Sequence, residues 1–423
     1  VVQKAGRIAK CQVLAPSHTN SMRWRLLGAF SAGCVCALMA MRVLLAKALA
    51  VRFKRKELTH NTKCSSERHS PPSPAEAADP KLIPGEFVLL ALFDGIRGCS
   101  EALRALGVEP HADYSSEVDT NCRRLIAAKY SRCVQLGDIQ KVDRAALQDI
   151  VVRHGVQRPW LVVGGSPCQD LSIRRGQNRR GLAGKKSKLF FEFVRIVSTL
   201  RSLGVEVAFV LENVASMSDE DRDVMSASLG VQPIEIDAAI LSACHRQRYY
   251  WTNLPVAPVE PRTIDVDALL DDGWHRLPRG KPFRCFVSSA AWQAKRGREP
   301  LGVFRIPPAG GRISSGEAEA EERAPNAGER EVILGFPRGH TRLLGDDGED
   351  LFPEGLRLKL LGNSFSVQVM SHLLASVATS ARDGQRLELR PLQEDALVVK
   401  MNRIRDDGEP SNRVDEMDGW EFN

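Results

Sequence analysis

Ten cysteines are spread over this 423-residue chain, yet none forms a C-x-x-C pair. Zinc ribbons and zinc fingers need such close ligand pairs, so no metal site is expected. The cysteines also lack the regular spacing of a disulfide framework, which reads as free thiols in a reducing compartment. No stretch matches G-x-G-x-x-G, which argues against an ordinary NAD-binding turn. No uncharged apolar run reaches the ~20 residues of a membrane span. The nearest, Leu26–Met41, stops at sixteen and is followed by Arg42 and Lys47. No internal repeat is visible. Acidic residues are missing altogether before Glu57, while eleven Lys and Arg precede it.

That one-sided charge locates the basicity of the chain. Residues 1–80 hold thirteen Lys/Arg and four Asp/Glu, so they carry +9 where the whole chain carries +7. The remaining residues net −2, and global charge alone therefore says nothing about a nucleic-acid partner. The segment 1–80 reads as a basic targeting or disordered region ending in the Pro/Ser linker HSPPSPAEAADP. VRFKRK (51–56) suits a nuclear signal, and the nucleus is the expected compartment. An organelle is the alternative, because a basic start without acids suits a transit peptide.

Order begins near Gly85. EFVLLALF (86–93) is a continuous apolar run ending in a glycine turn, the pattern of a buried parallel strand. Further strand patterns are HADYSSEVD, VQLGDI, PWLVVGG, VEVAFVLENV, PIEIDAAIL and RQRYYWTNL, with helical patterns such as SEALRALGV and KLFFEFVRIVSTLRSLG between them. The alternation predicts an α/β fold with a mostly parallel, doubly wound, Rossmann-like sheet over 85–255. Residues 256–328, rich in Pro, Gly and Arg, break the pattern and read as a small irregular insert. Residues 329–382 return to apolar and helical patterning, and 383–423 read as a polar tail.

In such sheets ligands bind at the carboxyl ends of the strands. The turn F-D-G-I-R-G (93–98) ends the first strand and opens a helix, where backbone N–H groups can approach a ligand. Glu117 ends the second strand and can accept from ribose hydroxyls; Asp138 follows the third and can reach an adenine amino group. Each feature alone is commonplace, since a strand-end acid is usually just solvated. Together they outline a nucleoside-cofactor site. Cys168 sits on the turn GGSPCQ just past the fourth strand. Most intracellular thiols are packing residues, but an accessible strand-end thiol on a glycine turn suits a nucleophile. Glu212, in LENV, is costly to bury unless paired or used. Arg246 and Arg248, in HRQRYYW, can clamp a carboxylate or a phosphate, or simply face solvent.

The ordered set FDG, SEV, GD, GGSPCQ, ENV, HRQR and GNSFSV resembles the DNA cytosine-5 methyltransferases, over residues 86 to about 380. FDGI, SEV, GGSPC-x-DLS and LFFEF make it most similar to the de novo branch, although Gln169 stands where that branch usually has Asn. The resemblance implies S-adenosyl-L-methionine as cofactor, a flipped-out cytosine in DNA as substrate, and a covalent adduct through Cys168. It implies that Glu212 holds a proton at ring nitrogen 3 and that Arg248, supported by Arg246, contacts the base oxygen or its phosphate. It places the cofactor's ribose on Glu117, its adenine near Asp138 and Val118, and its methionine end near Asp94 and Ile96. Phe93, Gly95, Gly98, Ile139 and Pro167 join that set, and Leu189 with Asn363, Ser364 and Phe365 would close the pocket. The insert falls where the family keeps its target-recognition domain.

Local charge agrees with a DNA partner. Residues 174–188 hold Arg174, Arg175, Arg179, Arg180, Lys185, Lys186 and Lys188 with no acid, directly after the cysteine. Residues 276–298 add seven more basic residues, Lys295 and Arg296 among them, again with no acid. A second copy or a regulatory paralogue is a further expected partner, and no membrane is. A tRNA cytosine-5 methyltransferase of the same fold is the first alternative, but its Cys-Phe-Thr signature is missing here. An inactive regulatory paralogue is the second, although the cysteine and the glutamate are both present.

Overall fold

The fold is taken from a computed structural model, which describes residues 82–276, 280–288, 302–305 and 321–392. The basic N-terminal segment lies outside these, as do Lys295 and Arg296.

Seven strands form the central sheet: β1 (Ile83–Leu92), β2 (Val108–Ser116), β3 (Cys133–Gln135), β4 (Trp160–Gly165), β5 (Val207–Val214), β6 (Ile234–Asp237) and β7 (Gln247–Thr252). Their order across the sheet is β3-β2-β1-β4-β5-β7-β6. Pairing is parallel from β3 through to β5, and β7 runs antiparallel to both its neighbours. The sheet is thus mostly parallel and doubly wound, the architecture that the alternating pattern predicts.

Period-two alternation in the central strands divides their side chains between two cores. Val88, Leu90, Trp160, Val162, Phe209 and Leu211 face one side; Leu89, Leu161, Val163, Ala208 and Val210 face the other. Both faces are apolar because helices cover both. The helices α3 (Arg144–His154), α4 (Phe190–Ser202) and α5 (Asp219–Leu229) supply residues to the first core. The second is closed by α1 (Gly98–Ala105), α2 (Thr120–Lys129) and the helices that follow the insert: α6 (Ala327–Ile333), α7 (Glu354–Gly362), α8 (Val367–Leu373) and α9 (Ala375–Asp383). Burying one Leu or Phe in such a core contributes about 1.5–3 kcal/mol. Four helix starts among the described residues carry polar side-chain caps. Asp119, Asp143 and Ser218 accept from first-turn amides, and Asn326 with Glu329 forms a capping box on α6.

Between the main sheet and α6 in chain order, the described residues contain a second, three-stranded antiparallel sheet. Its strands are β8 (His275–Arg276), β9 (Val303–Arg305) and β10 (Glu321–Arg323), in the order β10-β9-β8. Arg323 ties it to α6: its guanidinium bonds Glu329 at 2.6 Å, reaches Asp271 at 3.3 Å and lies 3.9 Å from the Trp274 ring centre. The stretch after α9, expected to be a polar tail, begins with residues that dock. The Arg390 N–H donates to Asn253 O and Arg386 pairs with Glu206. Beyond residue 392 the tail lies outside the described residues.

One buried charge ties the first turn together. Arg97 is fully buried, donates to Asp94 at 2.7 Å, bonds Asp113 of β2 and stacks on the Tyr130 ring. Its backbone is left-handed at φ 69°, a conformation that costs a non-glycine residue about 1–2 kcal/mol. An Arg97→Leu protein should lose about 3–5 kcal/mol of unfolding free energy in urea melts, because two carboxylates are left without their cation. A loss under 1 kcal/mol would mean that the pair is not holding the turn.

Candidate active site

Parallel register delivers four strands to one edge at the same level. Leu92 pairs with Ser116 and Gly164, and Gly164 pairs with Leu211. The next residue of each strand path is therefore Phe93, Glu117, Gly165 and Glu212.

The first turn is compact and strained. Phe93 and Gly95 both have positive φ, 52° and 57°. The Gly95 N–H donates to Glu117 Oε2 at 2.8 Å, and Glu117 Oε1 accepts from the Val118 and Asp119 amides. Burial pushes the Glu117 carboxyl up, against these backbone hydrogen bonds. Oε2 still has acceptor capacity for a hydroxyl. Asp94 and Ile96 are buried, and Asp94 Oδ1 has no hydrogen-bond partner among the described residues. Val118 is 64% exposed. Asp138 caps the short turn Ile139–Lys141, in which Ile139 is buried.

Phe365 links this turn to the cysteine turn. A Cβ added at Gly98 would come 3.1 Å from Phe365 Cβ, and one at Gly165 would come 2.9 Å from its ring. A Cβ at Gly165 would force the ring to shift, and one at Gly98 would press it by a few tenths of an ångström. Ser364 is buried and donates to Leu361 O, while Asn363 is exposed. Leu189 is half-buried just before α4, and the Pro167 carbonyl accepts from Ser187 Oγ at 3.1 Å.

Cys168, Glu212 and Arg248 form the centre. Because β7 is antiparallel, its beginning lies where β5 ends. Arg248 pairs across from Val214, diagonal to Glu212, and its Nε donates to Glu212 Oε1 at 2.7 Å. Glu212 Oε2 lies over Gly165, 3.3 Å from where a Cβ would stand. Burial holds the Arg248 guanidinium back, but Glu212, together with Cys285, Tyr250 and Cys168, outweighs it and its pKa is raised. The Cys168 thiol is half-buried, and its pKa is pushed up by burial and by Glu212, with Arg248 and Arg246 opposing. Arg246 is 4% exposed and directed inward, its Nη1 bonding the Phe286 and Gly362 carbonyls at 3.5 Å. It braces the strand start against the region after β8. Asn213, fully buried, donates to Ser166 Oγ at 2.9 Å and fixes the cysteine turn to β5.

The basic run follows directly from the cysteine turn. Arg174 and Arg175 lie on the short helical stretch Ile173–Asn178. Arg180, Lys185, Lys186 and Lys188 are exposed, and Arg179 is half-buried.

Residues 87–229 match the model of the C-5 cytosine-specific DNA methylase family. Among curated relatives, DNA (cytosine-5)-methyltransferase DRM1 of Arabidopsis thaliana is 32% identical over 126 residues, 28% of this chain and 20% of that protein. The orphan methyltransferase M.SPRI of Bacillus phage SPR is 30% identical over 165 residues, 38% of this chain and 34% of that one. The chain thus spans a fifth to a third of the length of these relatives. Among solved structures, the S. pombe Dnmt2 methyltransferase is 14% identical over 70% of this chain and 98% of that one, with a TM-score of 0.45.

The site also uses residues that the sequence pattern did not single out. Asp170, two positions after the cysteine, accepts from the Lys186 and Ser187 amides and packs against Gly184, where a Cβ would come within 2.3 Å. Asp221 of α5 accepts from the Leu182 amide at 2.9 Å. These two carboxylates staple the basic loop at its middle and its end. Asp170 was visible in PCQDLS; Asp221 had no signal, since it acts from a surface helix far along the chain.

The raised thiol pKa makes a direct prediction. Replacing Glu212 with Gln removes the nearby negative charge and frees Arg248 to face Cys168. Iodoacetamide should therefore alkylate Cys168 faster in Glu212→Gln than in the wild type at pH 8, measured by mass spectrometry. Equal or slower alkylation would separate the two residues electrostatically.

Proposed function

We propose that the protein is a DNA cytosine-5 methyltransferase that uses S-adenosyl-L-methionine. The observation that carries this reading is the meeting of Cys168, Glu212 and Arg248 at the edge where the Phe93–Gly98 turn and Glu117 also lie. The residues present fit that cofactor. Asp94 Oδ1 is a buried acceptor with no partner among the described residues, Glu117 Oε2 retains a lone pair, and Gly98 and Gly165 make room for Phe365 at the mouth.

When bound, S-adenosyl-L-methionine supplies the methyl group. The chain must make carbon 5 of cytosine nucleophilic. Cys168 gives its proton to water, and the resulting thiolate sulfur bonds carbon 6. The displaced π electrons of the 5,6 double bond build up at carbon 5 and on the ring. Glu212 holds a proton at ring nitrogen 3, which neutralises the charge that develops there. Arg248 orients Glu212 and meets the base oxygen or its phosphate. Once carbon 5 is methylated and has lost its hydrogen as a proton to water, the C–H electron pair re-forms the 5,6 double bond and sulfur leaves carbon 6 as thiolate. Burial and Glu212 raise the thiol's pKa in the free protein, while Arg248 and Arg246 favour the thiolate. A base stacked in a duplex cannot reach this turn, so it must flip out.

DNA rather than tRNA is favoured by the relatives from Arabidopsis thaliana and Oryza sativa, which are named DNA (cytosine-5)-methyltransferases. The basic loop stapled by Asp170 and Asp221 would run along the phosphates. The small sheet β8–β10 and its surroundings would read the target. A DNA substrate and the VRFKRK run favour the nucleus.

Purified Cys168→Ala protein should transfer no labelled methyl to duplex DNA yet retain cofactor affinity in calorimetry. Activity left in that variant would remove the nucleophile assignment, and label appearing in tRNA instead of DNA with the wild type would move the substrate to the alternative. Neutralising Arg179, Arg180, Lys185 and Lys186 together should flatten the slope of log affinity against log salt, by up to about 0.9 for each phosphate that is no longer neutralised, at every DNA sequence tried. An unchanged slope would leave these residues as solvated charge.

A further inference from the structure

A hydrogen bond joins the Phe93–Gly98 turn to the part of the chain that follows the insert. His340 is 5% exposed and its Nε2 lies 2.7 Å from the Ile96 carbonyl oxygen. A carbonyl can only accept, so Nε2 carries the hydrogen and donates. Ile96 is the residue between Gly95, whose N–H engages Glu117, and the left-handed Arg97.

The ring is aimed by an unusual amount of buried polarity. Glu331 of α6 is fully buried. Its Oε2 accepts from the Gly339 amide at 2.6 Å and its Oε1 from the Thr341 amide at 2.7 Å, and Arg357 pairs with it at 3.0 Å. The backbone on either side of His340 is therefore clamped by one carboxylate. Lys129 of α2 donates to the Gly339 and His340 carbonyls. The Phe336 ring lies 4.6 Å from the imidazole, and Tyr130, which stacks on Arg97, lies 6.4 Å away. A buried glutamate is strongly destabilising unless its partners are worth more. Here those partners all serve the turn that carries His340.

The turn being held is strained. Phe93 and Arg97 both have positive φ without being glycine, and such residues persist only where their surroundings over-determine them. Glu117 fixes the turn at Gly95, the Asp94–Arg97–Asp113 group fixes it at both sides, and His340 fixes the carbonyl between.

We infer that His340, clamped in place by Glu331, is a positioning residue that holds the cofactor turn 93–98 in its binding conformation from the far side of the insert. This rests on the reading of that turn as the cofactor site. His340 touches neither cofactor nor base, so its loss should weaken cofactor binding without removing the chemistry.

The test compares the full chain carrying His340→Leu, His340→Gln and His340→Asn with wild type. Gln keeps an N–H donor close to the position of Nε2; Asn is polar but too short to reach Ile96, and it stands in for Leu should the Leu variant fail to fold. Calorimetry with S-adenosyl-L-methionine and hydrogen exchange of the 94–98 amides in the free protein are both measured. Leu and Asn should weaken binding about fivefold and speed exchange by a similar factor, the worth of one buried hydrogen bond. Gln should restore both to within about twofold of wild type. Unchanged exchange in Leu and Asn, or a Gln variant no better than Asn, overturns the inference. Exchange that responds as expected, with no variant or wild type binding S-adenosyl-L-methionine, supports the positioning role and overturns the cofactor assignment instead.

Discussion

One row of backbone pairs governs the site. Ser116, Leu92, Gly164 and Leu211 lie side by side on four neighbouring strands, joined by parallel hydrogen bonding. The residues that follow them make up the edge that carries the candidate chemistry. A slip of one residue in any pair would turn every side chain of that strand to the opposite face and exchange one apolar core for the other. Because both cores are close-packed, the register has no slack, and the positions of Phe93, Glu117, Gly165 and Glu212 inherit its precision.

The reversed strand completes what the parallel strands begin. A parallel strand offers only its carboxyl end to this edge. β7 runs the other way and offers its beginning, which places Arg248 diagonal to Glu212. Glu212 stands near the end of a strand that is buried along its whole length, where an unpaired carboxylate is strongly disfavoured. The arginine removes that cost and makes the carboxylate available at the same time. The same pair bears on the cysteine turn with opposite signs, so the thiol's ionisation depends on how Glu212 and Arg248 are engaged.

Around this centre, precision comes from carboxylates that bind backbone. Glu117 holds the first turn, Asp170 and Asp221 hold the basic loop, and Glu331 holds the turn of His340. Each bonds main-chain amides that its own helix or strand does not supply, and each gives a loop a fixed shape. Such bonds are geometric, since a carboxylate accepting from a main-chain N–H leaves no compositional trace in the partner.

The strands were legible because a strand covered on both faces is written as an unbroken apolar run, as in VLLAL and VAFVL. The turn residues at their ends were legible too: glycines, a lone cysteine and acids where apolar side chains stop. The amino-acid sequence by itself thus determined which segments are strands, roughly where each ends, and which reactive side chains stand at those ends. It did not show that Arg246 points inward to brace while Arg248 meets Glu212. Both stand in the same HRQR run, and what separates them is that β7 begins at Gln247, between the two. It did not mark Arg97 as a buried ion-pair centre or His340 as the partner of Ile96, since these contacts join residues whose separation along the chain reaches 244 positions. The insert reads as short strand-like pieces with little helix, but the sequence did not show that β8–β10 pair as one sheet, since two- and three-residue strands are too short to carry a period. Those features were decided by tertiary packing alone, because they depend on which faces the sheet brings together, and local sequence records only what each segment needs to bury.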